Sequence, residues 1–239
     1  MWLWALLPIC QAVFGTLGIW TVFAVSVSNG SVNLTKGFPY ISDCGSYKPQ
    51  SCLFSQMCNI CSVLALWIVI IRFQQVKDFG NHGKANIAGI ILGFISSVGI
   101  SIIGNFQISA VKSIHLLGAF LAFILGLAYF WVQLLLTYRA GPSHDRCWVG
   151  PVRAACCSLC TLLVVLILVL RHTGSPSGAA VCEWVLVMLS FGLFGLFAAE
   201  FRHIDCLHLT IQKPSLGDSS VVVNSLHVDA FQTENTRVQ

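Results

Sequence analysis

Ile114 to Tyr138 reads IHLLGAFLAFILGLAYFWVQLLLTY, 25 residues with no formal charge unless His115 is protonated. A helix rises ~1.5 Å per residue, so this run can cross a ~30 Å hydrocarbon layer with some tilt. Its ends are marked by Lys112 and His115 at one mouth and by Trp131, Tyr138 and Arg139 toward the other. Rings and basic groups at the ends of an apolar run are interface anchors. Gly118, Ala122 and Gly126 fall four apart on one face, a seam of small residues where another helix can come close.

The composition agrees. Of 239 residues, 56% are hydrophobic and 9% charged, where a soluble domain carries about 25% charged residues. The expected partner is the lipid bilayer, together with unidentified membrane or cytosolic proteins. The net charge of +4 is spread out. No basic cluster is interleaved with aromatics, so nucleic acid is not expected. Eleven cysteines lie mostly in or beside apolar runs. No internal repeat or heptad is evident.

Five further runs flank the first. Upstream, Ile87 to Gly104 carries Gly89, Gly93, Ser97 and Ser101 at every fourth position. Only residues 105–113 separate it from the quoted run, so the two are expected to be antiparallel neighbours with their small-residue stripes facing. Phe54 to Ile71 and Ala5 to Val27 precede it. A cleaved signal peptide ending at Ser26-Val27-Ser28 is the rival reading of the first run, but no Lys or Arg precedes it and it is long for that role. Ala154 to Leu170 and Ala179 to Ala199 follow. The expectation is an all-α, six-span transmembrane bundle over residues 1–205, then a short polar, disordered cytosolic tail over 206–239. The polar character already begins at Glu200.

Basic residues set the expected orientation. With both termini cytosolic, the inner side holds Arg72, Lys77, Lys84, Arg139, Arg146, Arg153, Arg202, Lys213 and Arg237, nine against Lys36, Lys48, Lys112 and Arg171 outside. Residues 28–53 then face outward. They hold two N-glycosylation sequons, at Asn29 and Asn33, and the pair Cys44 and Cys52. A disulfide there would close a short loop and stabilise it by up to ~3 kcal/mol on the chain-entropy view.

Chemistry-bearing residues are few. Glu183 reads as the one acid inside a span, and Gln56, Asn59, Asn105, Gln107 and His115 fall at about its depth. A hydrogen-bonded cluster is expected there, with His115 or Gln107 partnering Glu183. It is either a structural lock or a proton-sensitive element. Cys156, Cys157 and Cys160 lie in an apolar helix, which favours buried thiols or palmitoylation over metal. His203, Cys206 and His208 are weak as ligands. No phosphate loop, nucleophile elbow or dinucleotide fingerprint is present, so a non-enzymatic protein without a cofactor is expected.

Four stretches carry a likeness: Gly37-Phe-Pro-Tyr-Ile-Ser-Asp43, Gly104-Asn-Phe-Gln107, His115-Leu-Leu-Gly-Ala-Phe-Leu-Ala-Phe123 and Cys182-Glu-Trp184. In order and spacing they resemble the damage-regulated autophagy modulator family, which includes the transmembrane protein 150 group. Cys44 and Cys52 point to that group. The resemblance implies six spans and residence in plasma membrane, endosomes, lysosomes or autophagosomes. It also implies promotion of autophagy and of survival under stress, with no catalytic residue to carry over. Other relatives imply two alternatives: a channel or channel subunit, and a plasma-membrane scaffold for a phosphoinositide kinase.

Overall fold

The computed structural model describes residues 3–80, 83–140, 143–202 and 204. All regular elements among them are helical. They are α1 (Leu3–Ser28), a 3-10 turn (Leu34–Lys36), α2 (Ile41–Cys44), α3 (Gln50–Asp78), α4 (Lys84–Asn105), α5 (Lys112–Ala119), a π-helical turn (Phe120–Leu125), α6 (Gly126–Ala140), α7 (Ser143–His172), α8 (Pro176–Gly195) and α9 (Phe197–Phe201). Six helices are long and apolar enough to cross a membrane, the fourth running through α5, the π turn and α6, and the sixth through α8 and α9. Large apolar side chains face outward on every one, among them Leu17, Trp67, Phe94, Leu117, Leu162 and Val185. Helices that are apolar on all sides belong in lipid. The expected tail over 206–239 lies outside the described residues.

The spans pack in chain order: α1 on α3, α3 on α4, α4 on α5 and α6, α6 on α7, α7 on α8. The ring closes where α8 returns to α1. One end gathers residues 29–49, α2, the 106–111 turn and the 173–175 turn, and we name it the Asp43 end. The other gathers the C-terminal ends of α3, α6 and α9 and is named here for Glu200.

The helices are longer than the apolar runs that announce them. Arg72 and Arg153, expected in loops, lie inside α3 and α7, and Glu200, expected in the tail, lies in α9. Gly150 and Pro151, a pair that usually breaks a helix, are likewise inside α7. Gly150 leaves room for the Tyr138 ring, whose Cζ would stand 2.8 Å from an added Cβ.

The seam between α4 and the fourth span is real but shifted in register. Gly118 packs on Ile102 and Ile103, and Gly126 on Ser96. The closest crossing is at Gly99, where an added Cβ would lie 2.6 Å from the Ala122 backbone nitrogen. Ser96 donates to the Ala122 carbonyl at 3.2 Å within the π turn, so α4 supplies a partner to the backbone of the wider turn. Gly89 faces Gln133 of α6. Gly93 sits between Val69 of α3 and Tyr129 of α6. Ser97 bonds back to Gly93 O, while its own carbonyl accepts from Ser62 of α3. The α4 stripe is thus shared between α3 and α6.

Candidate functional site

Two polar assemblies lie at opposite ends of the bundle. The first centres on Glu200. Its Oε1 accepts from Arg72 Nη2 at 2.7 Å and Arg153 Nη1 at 3.1 Å, and its Oε2 accepts from Arg153 Nη2 at 2.7 Å. Thr137 Oγ1 lies 2.9 Å from Oε1 and equally near Gln133 O, so its single hydrogen chooses between them. Arg153 Nη1 also donates to that hydroxyl. Arg72 continues to Gln75 Oε1 at 2.7 Å and Gln133 Oε1 at 3.1 Å. Gln75 Nε2 then donates to Glu200 O at 2.7 Å. Phe197 lays its ring against both guanidiniums, 4.7 Å from Arg153 and 5.9 Å from Arg72. Arg72, Arg153 and Glu200 are 1%, 0% and 2% exposed.

This network ties α3, α6, α7 and α9 together. A lone charge in such a place costs several kcal/mol, and pairing plus hydrogen bonding is what makes burial tolerable. Sequence reasoning missed it, because each charge stands at the edge of an apolar run, where it reads as a boundary. Gln133 and Thr137, four apart in the last turns of an apolar span, were the available signal.

The second assembly surrounds a cavity at the Asp43 end. It measures about 420 Å³ and opens between α5 with its π turn and α7. Its mouth is polar, lined by Tyr40, Ser42, Asp43, Lys112, His115, Arg171 and Glu183. Its walls are apolar, including Phe120, Ile124, Val164 and Leu168. A narrower chamber of about 130 Å³ shares Ser42, His115 and Glu183 with it and runs inward to Gln11. Both amide atoms of Gln11 are buried without a hydrogen-bond partner.

Local structure explains how these groups arrive. Trp184 Nε1 donates to Pro39 O at 3.0 Å, and Trp184 packs with Trp20, Phe23 and Phe38. Phe38 N donates to Ser177 Oγ at 3.2 Å. That contact needs Gly37, which has φ 138° and no Cβ to meet the serine. The loop is thereby pinned over α8, which sets α2 and Asp43 beside Glu183. His115 Nδ1 lies 2.7 Å from Phe106 O. A carbonyl only accepts, so Nδ1 carries the hydrogen and Nε2 is left to the cavity.

The Asp43 carboxyl is pushed above the usual carboxylate range, chiefly by burial. The Tyr40 N–H, His115 and Arg171 pull the other way. Arg171 stacks over the Tyr40 ring at 5.7 Å. No ion pair joins Asp43, Glu183, Lys112 or Arg171 to one another, and Glu183 makes no hydrogen bond among the described residues.

The structure divides the expected cluster. Asn59 and Asn105 bond each other reciprocally, at 3.1 and 2.9 Å, with Ser55 and Ser101 attached at 2.9 and 2.7 Å. His115 and Glu183 share a cavity without bonding. Gln56 is exposed on another face, and the Gln107 carbonyl caps the 107–111 turn. Nor is Glu183 the one acid within a span: the sixth span reaches Phe201 and includes Glu200.

In the sequon segment, Asn33 is exposed, and its Oδ1 accepts from Thr35 N at 3.0 Å and Thr35 Oγ1 at 2.7 Å. The Asn29 amide donates to Gln50 Oε1 at 2.7 Å. Cys44 and Cys52 are free thiols, with Cys44 buried toward Ser26 and Cys52 on an exposed face of α3. The expected bond between them is not formed. Among the described residues no group of His, Cys, Asp or Glu has the arrangement of a metal site.

Residues 3–204 match the family described as Frag1/DRAM/Sfk1/Cwh43P N-terminal domain. The chain belongs to this family. It is 62% identical to a zebrafish (Danio rerio) protein named modulator of macroautophagy TMEM150B, over 90% of this chain and 93% of that one. The human protein of the same name is 46% identical over 89% of this chain and 92% of its own length. A Xenopus laevis protein named transmembrane protein 150A is 30% identical over 84% of this chain and 85% of its own. The expected placement in this family, within its transmembrane protein 150 group, is borne out. No solved structure matches the chain.

Proposed function

We propose that this chain is a non-enzymatic, multispan modulator of autophagy and of cell survival under stress, working through protein or lipid contacts. The observation that carries the reading is its likeness, over nine-tenths of its length, to a relative named as a macroautophagy modulator. The geometry supports contact over conduction or catalysis. The ion-paired set of charges is sealed at one end of the bundle, with its partners inside the protein. Among the described residues, that leaves the cavity at the Asp43 end, and the outward faces, as surfaces open to other molecules. In this reading both termini are cytosolic, the protein resides in plasma, endosomal, lysosomal or autophagosomal membranes, and Asn33 is the better glycan acceptor because its amide is not held by Gln50.

The test is autophagic flux in cells lacking the protein, measured as turnover of a lipidated autophagosome marker with and without lysosomal blockade. Flux should fall under starvation and return with the wild-type chain. Unchanged flux would remove the reading. A glycosidase-sensitive mass shift that is lost in Asn33→Gln checks the orientation. A cytosolic Asn33, giving no shift, reverses it.

A further inference from the structure

We infer that the cavity at the Asp43 end is a binding site for one bilayer phospholipid with a zwitterionic, primary-amine headgroup, of the phosphatidylethanolamine class. Three observations on the page meet there. The cavity is amphipathic in the order a lipid requires. Its charged and hydroxylated mouth lies at the end of the spans, and apolar walls of Phe120, Ile124, Val164 and Leu168 lead away from it. It opens sideways, between α5 with its π turn and α7, because α6 packs against both α4 and α7 while α5 and the π turn pack on α4. A lipid can therefore enter from the bilayer without crossing a headgroup layer.

The third observation is charge. Two acids and two bases line one mouth, and none is paired with another. Acidic and basic side chains that line one mouth without pairing leave both kinds of group available to a ligand carrying both signs. Lys112 and Arg171 suit a phosphate, for which a guanidinium offers paired donors. Asp43 and Glu183 suit an ammonium. A primary ammonium has three hydrogens to give to carboxylates and to Ser42 Oγ. A quaternary ammonium has none and is held instead by an aromatic cage, and Tyr40 is the one Phe, Tyr or Trp among the polar residues of the mouth. The amine is thus favoured over choline. A purely anionic headgroup would leave the two acids opposed to it.

This site deepens the contact reading above. Binding is read on purified protein and that reading is read as flux in cells, so either can fail alone. The full chain, purified in mild detergent, is exchanged with phosphatidylethanolamine, phosphatidylcholine, phosphatidylserine or free phosphoethanolamine. Bound lipid is then counted by native mass spectrometry. One equivalent of phosphatidylethanolamine should be retained, about tenfold more tightly than phosphatidylcholine, the scale of one charge-assisted hydrogen bond. Arg171→Ala and Asp43→Asn should each lower retention about tenfold. Lys112 is exposed, so Lys112→Ala preserves the fold and should give a smaller loss in the same direction.

Equal retention of the choline lipid overturns the amine assignment. Preference for phosphatidylserine overturns the zwitterion. Binding of free phosphoethanolamine as tight as that of the lipid overturns the bilayer source. Retention unchanged in folded Lys112→Ala and Arg171→Ala overturns the site.

Discussion

The two ends of the bundle treat charge in opposite ways. At the Glu200 end three ionised side chains are packed into near-complete mutual satisfaction, drawn from α3, α7 and α9, and are shut away from everything outside. At the Asp43 end four ionisable side chains line one mouth without a single ion pair among them. Burial decides the difference. Charges sealed in protein must find each other, because nothing else is there to solvate them. Charges at a mouth can be left open to water or to a ligand. A closed network of this kind holds helices; an open one is available for recognition.

The largest effect expected from that contrast is at the closed end. Glu200→Leu strands two guanidiniums and should cost about 3–5 kcal/mol, seen as loss of monodisperse protein in detergent. Replacing all three charges together, Arg72→Met with Arg153→Leu and Glu200→Leu, should recover much of that loss, since apolar packing can take the place of a complete ion network. If the triple variant were no better than Glu200→Leu alone, the network would be more than a lock. Next in size is Gly99→Leu, which must part α4 from the Ala122 backbone. We expect about 1–3 kcal/mol of destabilisation, and a lesser cost would mean the crossing is looser than described.

The reciprocal Asn59–Asn105 pair, at the end of α4, sharpens the comparison from the other side. Asn59→Ala should cost about 0.6 kcal/mol, the average for a hydrogen bond between membrane helices, measured by thermal unfolding. A loss as large as that of Glu200→Leu would place a second lock at the Asp43 end. The smallest effect concerns pH. Burial raises the pKa of Asp43, and the groups facing it are Tyr40, His115, Arg171 and Glu183. Its carboxylate is anionic above that pKa and neutral below it, so retention of an amine headgroup should fall as pH drops from neutral toward about pH 5. Asp43→Asn should flatten that part of the profile.

The six spans were legible because a 25-residue run without formal charge has one physical outcome. Trp184, His115 and Asp43 were singled out within motifs, and the structure gives their reason: Trp184 pins the loop through Pro39 O, and that loop and the 106–111 turn bring Asp43 and His115 to the cavity. The Glu200 network was not legible. Arg72 and Glu200 are 128 residues apart, and a basic or acidic residue just past an apolar run is indistinguishable, by pattern alone, from one that ends it. The choice depends on whether a partner waits at the same depth on another helix. For the same reason Asn59 and Asn105 found each other while Gln56, three residues before Asn59, did not: equal depth does not imply a shared face.

One comparison bears on the whole account. Glu200→Gln and Glu183→Gln make the same chemical change at the two ends, and both can be purified and melted in one detergent. Glu200→Gln should lower the midpoint by on the order of 10 °C, because two arginines lose a charged partner. Glu183→Gln should leave it unchanged or slightly higher, because its carboxylate has no hydrogen bond to lose. The account is contradicted if Glu183→Gln is the more damaging of the two, or if both shift the midpoint alike.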